Sequence, residues 1–196
     1  MKKVLWLASL VVMLTACATQ VERIDTDEVR DLSGRWNDTD SRLVSEEMIK
    51  DVLDHPWLSQ FTRDKRHKPA VIVGEVLNLS HEHISVETFV NDIELALINS
   101  GKVTAVASGN ERGEIREERK DQDLNAREDT RKAMGQEIGA DFMLKGTINT
   151  IMDTEGKEQV RFYQIDLTLI SLADNSKVWV GQKKIKKFVK KASFRL

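Results

Sequence analysis

Cysteine is almost missing from this chain of 196 residues: Cys17 is the only one. A single cysteine excludes an internal disulfide, so a fold in an oxidising compartment must rest on packing. Proline is as scarce, with Pro56 and Pro69 alone, which excludes a stiff proline-rich spacer in the first 55 residues. No apolar run is long enough to cross a bilayer. The run over residues 4–14 is 11 residues long, and even stretched to 18 it reaches 15, against the ~20 a spanning helix needs. Internal repeats and low-complexity blocks are lacking, as are a P-loop, a GxGxxG and a GxSxG. No spacing unites serine, histidine and acid into a catalytic set, so no catalytic residue is assigned and an enzyme is not expected.

What the chain does have begins at its N-terminus. Lys2 and Lys3 precede the short apolar run, and the small residues Thr15 and Ala16 follow it. This is the layout of a secretory signal peptide, here residues 1–16. Leu14-Thr15-Ala16-Cys17 resembles the bacterial lipobox, whose cysteine is lipidated and becomes the first mature residue. A thiolate is the side-chain nucleophile suited to accept that lipid. The competing reading is a plain secreted protein with a stray cysteine near its cleavage site. Ala18, where an Asp would retain a Gram-negative lipoprotein in the inner membrane, implies the outer membrane by the same resemblance. Stable anchoring takes more than one acyl chain, and bacterial lipoproteins usually carry several. The expectation is a protein attached to the outer membrane and facing the periplasm, with the lipid on Cys17 as its only covalent group and no other cofactor.

Cleavage before Cys17 leaves 180 residues, the size of one domain and a tether. Hydrophobic residues make up 40% and charged residues 32%, enough for a core under a well-solvated surface. The net charge of −2 conceals an asymmetry. From position 183 onward stand seven cations and no acid, while the rest of the mature chain has 21 cations against 32 acids. A basic end suits an anionic partner such as peptidoglycan, lipid headgroups or an acidic protein face. Lysines placed on an edge strand to discourage stray pairing explain it as well. Nucleic acid is not an expected partner of a secreted lipoprotein.

Residues 17–35 read as the lipidated cysteine and a flexible polar tether, and residues 36–191 as a single globular domain. Some 18 residues of tether extend at most ~60–65 Å. Asp40 or Ser41 is placed to cap a helix carrying Leu43, Val44, Met48, Val52 and Leu53, which His55-Pro56 ends. "AVIVGEV" (70–76) is a buried strand. Ser85 opens a helix with Val86, Phe89, Val90, Ile93 and Leu97 at helical spacing, and Gly101 stands just past its end. "KVTAVAS" (102–108) supplies a second strand and completes a βαβ-like unit. Residues 111–123 are almost wholly charged, with Ile115 the only apolar one, and read as a solvated helix or a mobile loop. Thr130, Ala133, Met134 and Ile138 predict a short helix closed by Gly139. Three strands follow at about 141–152, 158–172 and 176–188, with "TEGKE" and "ADNSK" as turns. Tyr163, Ile165, Leu167 and Leu169 alternate, so one face of the middle strand is buried. The fold class is α/β: one mixed sheet with a C-terminal antiparallel meander and helices packed against it.

His81-Glu82-His83 is the one cluster with metal-binding residue types, but it lacks the spacing of HExxH and reads as an exposed polar loop. No metal is expected. Trp36, in "SGRWNDTDSR" (33–42), either seats the chain on the domain or, if exposed, anchors an interface. Trp57 and Trp179 carry the same two readings.

The lipobox, "GRWNDTDSR", "INSGKVTAVAS" (98–108), "GQEIGADFMLKGTI" (135–148) and "LISLADNSKVWVGQKKIKK" (169–187) together resemble the LpoB-type activators of peptidoglycan synthases. "GADFMLKG" and the turn-then-Trp ending are also similar to the wider class of TolB N-terminal and CsgG-like domains, which implies that sandwich fold. The resemblance implies a non-catalytic outer-membrane lipoprotein that docks on a class A penicillin-binding protein and stimulates glycan polymerisation and cross-linking. Such activation requires tighter binding to the active state than to the resting one. The family's long proline-rich tether has no counterpart here. Two further readings are an assembly or secretion lipoprotein of the CsgG type and a periplasmic ligand-binding lipoprotein. Candidate partner contacts are Trp36, Arg116 and Arg119 of the charged segment, and Lys183, Lys186 and Lys187 of the basic end.

Overall fold

The computed structural model describes residues 20–190, so the signal-peptide and Cys17 assignments fall outside the described residues. Residues 20–30, in a unit of their own, hold neither helix nor strand. The compact unit begins at Asp31, five residues ahead of the boundary expected at Trp36.

The first helix, α1, runs Asp38–Asp54. Its cap is Asn37 rather than Asp40 or Ser41. The Asn37 side chain accepts from the Asp40 backbone N–H, and the Asp40 carboxylate accepts from the Asn37 backbone N–H. This reciprocal box satisfies two donors that a helix start otherwise leaves orphaned. Pro56 ends α1 by forcing His55 into an extended conformation, and then opens a second helix, α2 (Pro56–Lys65), in which it occupies the first turn. A proline there has no hydrogen bond to lose, because the first N–H groups lack partners anyway. Trp57 and Leu58 of α2 are buried.

β1 (Ala70–Asn78), α3 (Val86–Ser100) and β2 (Thr104–Val106) form the βαβ unit, with β1 and β2 parallel. Gly101 ends α3 at φ 62°, and its N–H donates to Ile98 O. α4 spans Gly109–Asn125, closed at its start by a second capping box between Ser108 and Glu111. None of its residues is buried, which is why the sequence showed charge without apolar periodicity. The short helix expected over 130–138 does not form. Gly135 takes φ 76°, a left-handed value that interrupts a helix, and Met134 and Ile138 lie exposed instead of sharing a buried face.

β3 (Phe142–Glu155), β4 (Glu158–Ser171) and β5 (Lys177–Lys190) make the antiparallel meander. The five-stranded sheet has the order β2-β1-β3-β4-β5, with β3 parallel to β1. Both β2 and β5 are therefore edge strands. Phe142, Leu144 and Ile148 of β3, Tyr163, Ile165, Leu167 and Leu169 of β4, and Trp179 of β5 lie on one face. Val44, Met48 and Val52 of α1 and Phe89, Ile93 and Leu97 of α3 complete that core. Trp57 and Trp179 both belong to it. The Trp57 indole donates to Val52 O at 2.7 Å and the Trp179 indole to Asp51 Oδ2 at 2.9 Å, so each aromatic body is buried with its one donor satisfied. Among the described residues no helix is long and apolar enough to cross a membrane.

Candidate functional site

Two regions collect polar chemistry, and each uses residues the sequence singled out. The first clasps residues 31–41 onto the domain. Gly34, at φ 65°, turns the chain so that Trp36 lies with its edge toward Phe89 (ring centroids 6.2 Å apart) and Tyr163 (5.6 Å). The Trp36 indole donates to Ser41 Oγ at 3.2 Å. Trp36 is thus half-buried and seats the chain on the core.

Beneath it, Glu82 gathers three donors. Arg161 Nη1 lies 2.8 Å from Oε1, while the Tyr163 hydroxyl (2.9 Å) and the Trp36 backbone N–H (3.3 Å) both donate to Oε2. The Arg161 and Glu82 side chains are only 12% and 10% exposed. Burial pushes the Tyr163 phenol up to about 12, and the adjacent Glu82 carboxylate adds to the effect. Tyr163 consequently stays a neutral hydroxyl that can donate to Glu82 across the ordinary pH range. Glu82 is the middle residue of His81-Glu82-His83. The two histidines are exposed, and among the described residues no group of three His, Cys, Asp or Glu is arranged to hold a metal. What the sequence could not show is that Glu82 meets Arg161 and Tyr163, about 80 residues further along.

Lys187 closes the other side of the clasp. Its ammonium lies 2.6 Å from Asp40 Oδ2 and 2.7 Å from Asp31 Oδ1, and donates to Arg35 O at 3.3 Å. Burial of the ammonium opposes its charge, but the hydrogen bonds and attraction of Asp31 and Asp40 outweigh it, so its pKa is raised. The hydrogen bond from Lys187 holds Asp31 below the usual carboxylate range. Lys187 is therefore committed within the domain. Lys183 is paired with Glu47 of α1. Lys186 lies on the opposite face of β5, exposed, with no ion pair among the described residues. The basic end divides by strand alternation into inward lysines that bind α1 and its lead-in, and outward lysines open to solvent.

The second region is one face of α4. Arg112, Ile115, Arg116 and Arg119 recur at helical spacing and face residues 136–138. Arg116 grips Glu137 with two bonds, Nε to Oε1 at 3.0 Å and Nη2 to Oε2 at 2.8 Å. Arg119 Nη1 adds a third at 3.0 Å. The bond from Arg116 holds the Glu137 carboxyl below its ordinary range. Between this face and β2 runs an open cleft of about 320 Å³, lined by Thr104, Val106, Arg112, Ile115, Glu137 and Ile138 among others. The structure thus brings Arg116 and Arg119 together on one carboxylate, and places them far in the sheet order from Lys183, Lys186 and Lys187 on β5. Arg112 and Glu137 were not among the expected site residues, because their relation depends on residues 126–141 folding back beside α4.

Both regions hold chain segments in place through buried or bidentate ion pairs.

Several solved structures are similar to this chain. LpoB from Escherichia coli, determined by NMR, is 13% identical, with 91% of this chain and 84% of that one covered and a TM-score of 0.42. The E. coli LpoB C-terminal domain is 15% identical (67% and 94% covered, TM-score 0.38). Lipoprotein GNA1162 from Neisseria meningitidis is 14% identical (61% and 83% covered, TM-score 0.40). No curated protein matches the sequence. The family described as "Peptidoglycan-synthase activator LpoB" matches residues 40–185, from the buried Asp40 of the clasp through the β-meander, and the chain belongs to that family.

Proposed function

We propose that this chain is a lipoprotein of the outer membrane, anchored through lipid on Cys17, that binds a class A penicillin-binding protein and activates its synthesis of peptidoglycan. The family match over residues 40–185 carries the reading, since it spans every strand of the sheet down to the middle of β5. A family of synthase activators acts by regulating another enzyme, and the two polar regions described above suit that role: they fix a surface and present charge. The lipobox-like Leu14-Thr15-Ala16-Cys17 and Ala18 support the anchor and its destination.

Activation is a matter of differential affinity. If the lipoprotein binds the active synthase tenfold more tightly than the resting form, it shifts that equilibrium tenfold, whereas equal affinity shifts nothing however tight the complex. The test is a glycan-polymerisation assay with the purified lipidated chain and a class A synthase of the same organism in detergent. A saturable rise in rate, with half-effect at the concentration where a complex forms, supports the proposal. A complex that leaves the rate unchanged, or no complex at all, overturns it. For the anchor, Cys17→Ser should move the protein from the membrane fraction to the soluble periplasmic one.

A further inference from the structure

Arg112 is the one described residue with a buried side-chain polar atom lacking any hydrogen-bond partner: its Nε is shielded from solvent and unbonded. Buried donors are rarely left so. The obvious acceptor is already taken, because Glu137 is shared by Arg116 and Arg119. Arg112 adds only its attraction to that carboxylate, with no bond of its own, and is the cation left over. It lines the cleft whose opposite wall is β2.

That wall has its own unmet capacity. β2 lies at the edge of the sheet and pairs with β1 alone. Among the described residues no backbone hydrogen bond is made to its outer edge. An edge strand with free N–H and C=O groups is a template for an added strand. The remaining lining is mixed: Thr104, Gln136 and the Arg119–Glu137 pair are polar, and the rest is apolar. Ala105 and Ala107 are small enough to let a backbone approach, and Ile115 and Ile138, 41% and 63% exposed, flank the opening.

We infer that the cleft between β2 and α4 is a docking groove for an extended acidic segment of a partner protein, which pairs along β2 and places a carboxylate on Arg112. Charge complementarity selects this occupant: an added strand alternates its side chains, so acidic residues can meet the guanidiniums while the intervening apolar ones cover Ile115 and Ile138. That the partner is the synthase rests on the function proposed above. The groove itself does not.

The experiment has two arms, so that the two can fail separately. In the first, a fluorescein-labelled peptide of alternating valine and glutamate is titrated with the full chain in detergent and read by anisotropy, beside the same peptide with glutamine for glutamate. Binding of the acidic peptide, weakened at least tenfold by its glutamine counterpart and by Arg112→Glu, supports the groove. Arg112→Gln should fall between, and thermal melting confirms that each variant is folded. No binding at millimolar peptide, equal binding of the two peptides, or no effect of either Arg112 variant overturns it. Self-association of the chain that Arg112→Glu abolishes also overturns it, because the occupant is then a second copy. In the second arm the acidic peptide competes with the synthase. Displacement assigns the groove to that partner, and a peptide that binds without displacing it overturns the assignment to the synthase while the groove stands.

Discussion

Lys187 Nζ lies 2.6 Å from Asp40 Oδ2, so a lysine near the end of β5 is bonded to the residue that also completes the cap of α1. The Asp40 side chain is 8% exposed and that of Lys187 11%. Removing the cation strands a nearly buried carboxylate whose other bond comes from the Asn37 N–H. Breaking a buried pair by deleting one partner costs more than the pair itself contributes, because the surviving charge is left desolvated. Lys187→Met should lower stability by about 2–3 kcal/mol, read as a shift of the urea midpoint at unchanged slope. A loss below about 0.5 kcal/mol, the level of an ordinary surface substitution, would show that water replaces the ammonium freely.

Lys187 and Asp31, the second carboxylate it holds, set a pH window. Asp31 has a lowered pKa in the folded state, so its contribution is complete above its ordinary value of 3.8 and is lost as pH falls through the lowered one. Lys187 has a raised pKa, so its contribution is complete below its ordinary 10.5 and is lost as pH rises through the raised one. The stability difference between the natural chain and Lys187→Met should therefore be flat from about pH 5 to 9 and shrink outside it. A step near pH 6–7 would instead point to a histidine and rule out these carboxylates as the partners.

How much of this could be read beforehand depends on how local each signal is. α3 was legible because its apolar spacing, opening Ser85 and closing Gly101 agree. The meander was legible because Tyr163, Ile165, Leu167 and Leu169 alternate and the turns are marked. Pro56 misled, since a proline that ends one helix can also begin the next, and only packing of Trp57 and Leu58 decides that α2 follows. Residues 130–138 misled the other way: their apolar positions fit a helix, but Gly135 at φ 76° breaks it and nothing buries the face. At the sites, Trp36 was visible as a residue while its partners were not. Glu82, Arg161 and Lys187 meet it or its neighbours across 46 to 152 residues of sequence, separations that no local pattern encodes.

Gly146 tests the packing of the meander. A Cβ there would run into the Asp166 carbonyl and the Leu167 side chain on the neighbouring strand, directly across the β3–β4 register. The carbonyl belongs to the sheet ladder and cannot move aside as a flexible side chain would. Gly146→Ala should cost about 2–3 kcal/mol, the scale of overpacking in a dense core. Gly139→Ala, where a Cβ meets nothing within 4 Å, should stay within about 0.5 kcal/mol. Equal midpoints for the two variants in urea would show that β3 and β4 separate locally to make room.

The clasp also fixes where free tether ends. Arg35 O accepts from Lys187, and Asp31 is held by both Lys187 and Asn37, so the chain from Asp31 onward is not available for reach. With lipid on Cys17, the 13 residues 18–30 extend at most ~45 Å, against ~60–65 Å had the tether run to 35. Opening the clasp would return the difference without unfolding the sheet, because local segments open with less free energy than the whole fold. Trypsin provides the readout, since Arg35 is exposed as a side chain while its carbonyl is tied down. Cleavage after Arg35 should be at least tenfold faster in Lys187→Met and Trp36→Ala than in the natural chain, under conditions where all three remain folded by circular dichroism. Unchanged cleavage would mean that these residues do not hold the segment, and the longer reach would apply. If the rate does rise, and the function proposed above holds, adding about ten flexible residues between 20 and 30 should raise synthase activation in cells at unchanged melting temperature; unchanged activation would show that tether length does not limit it.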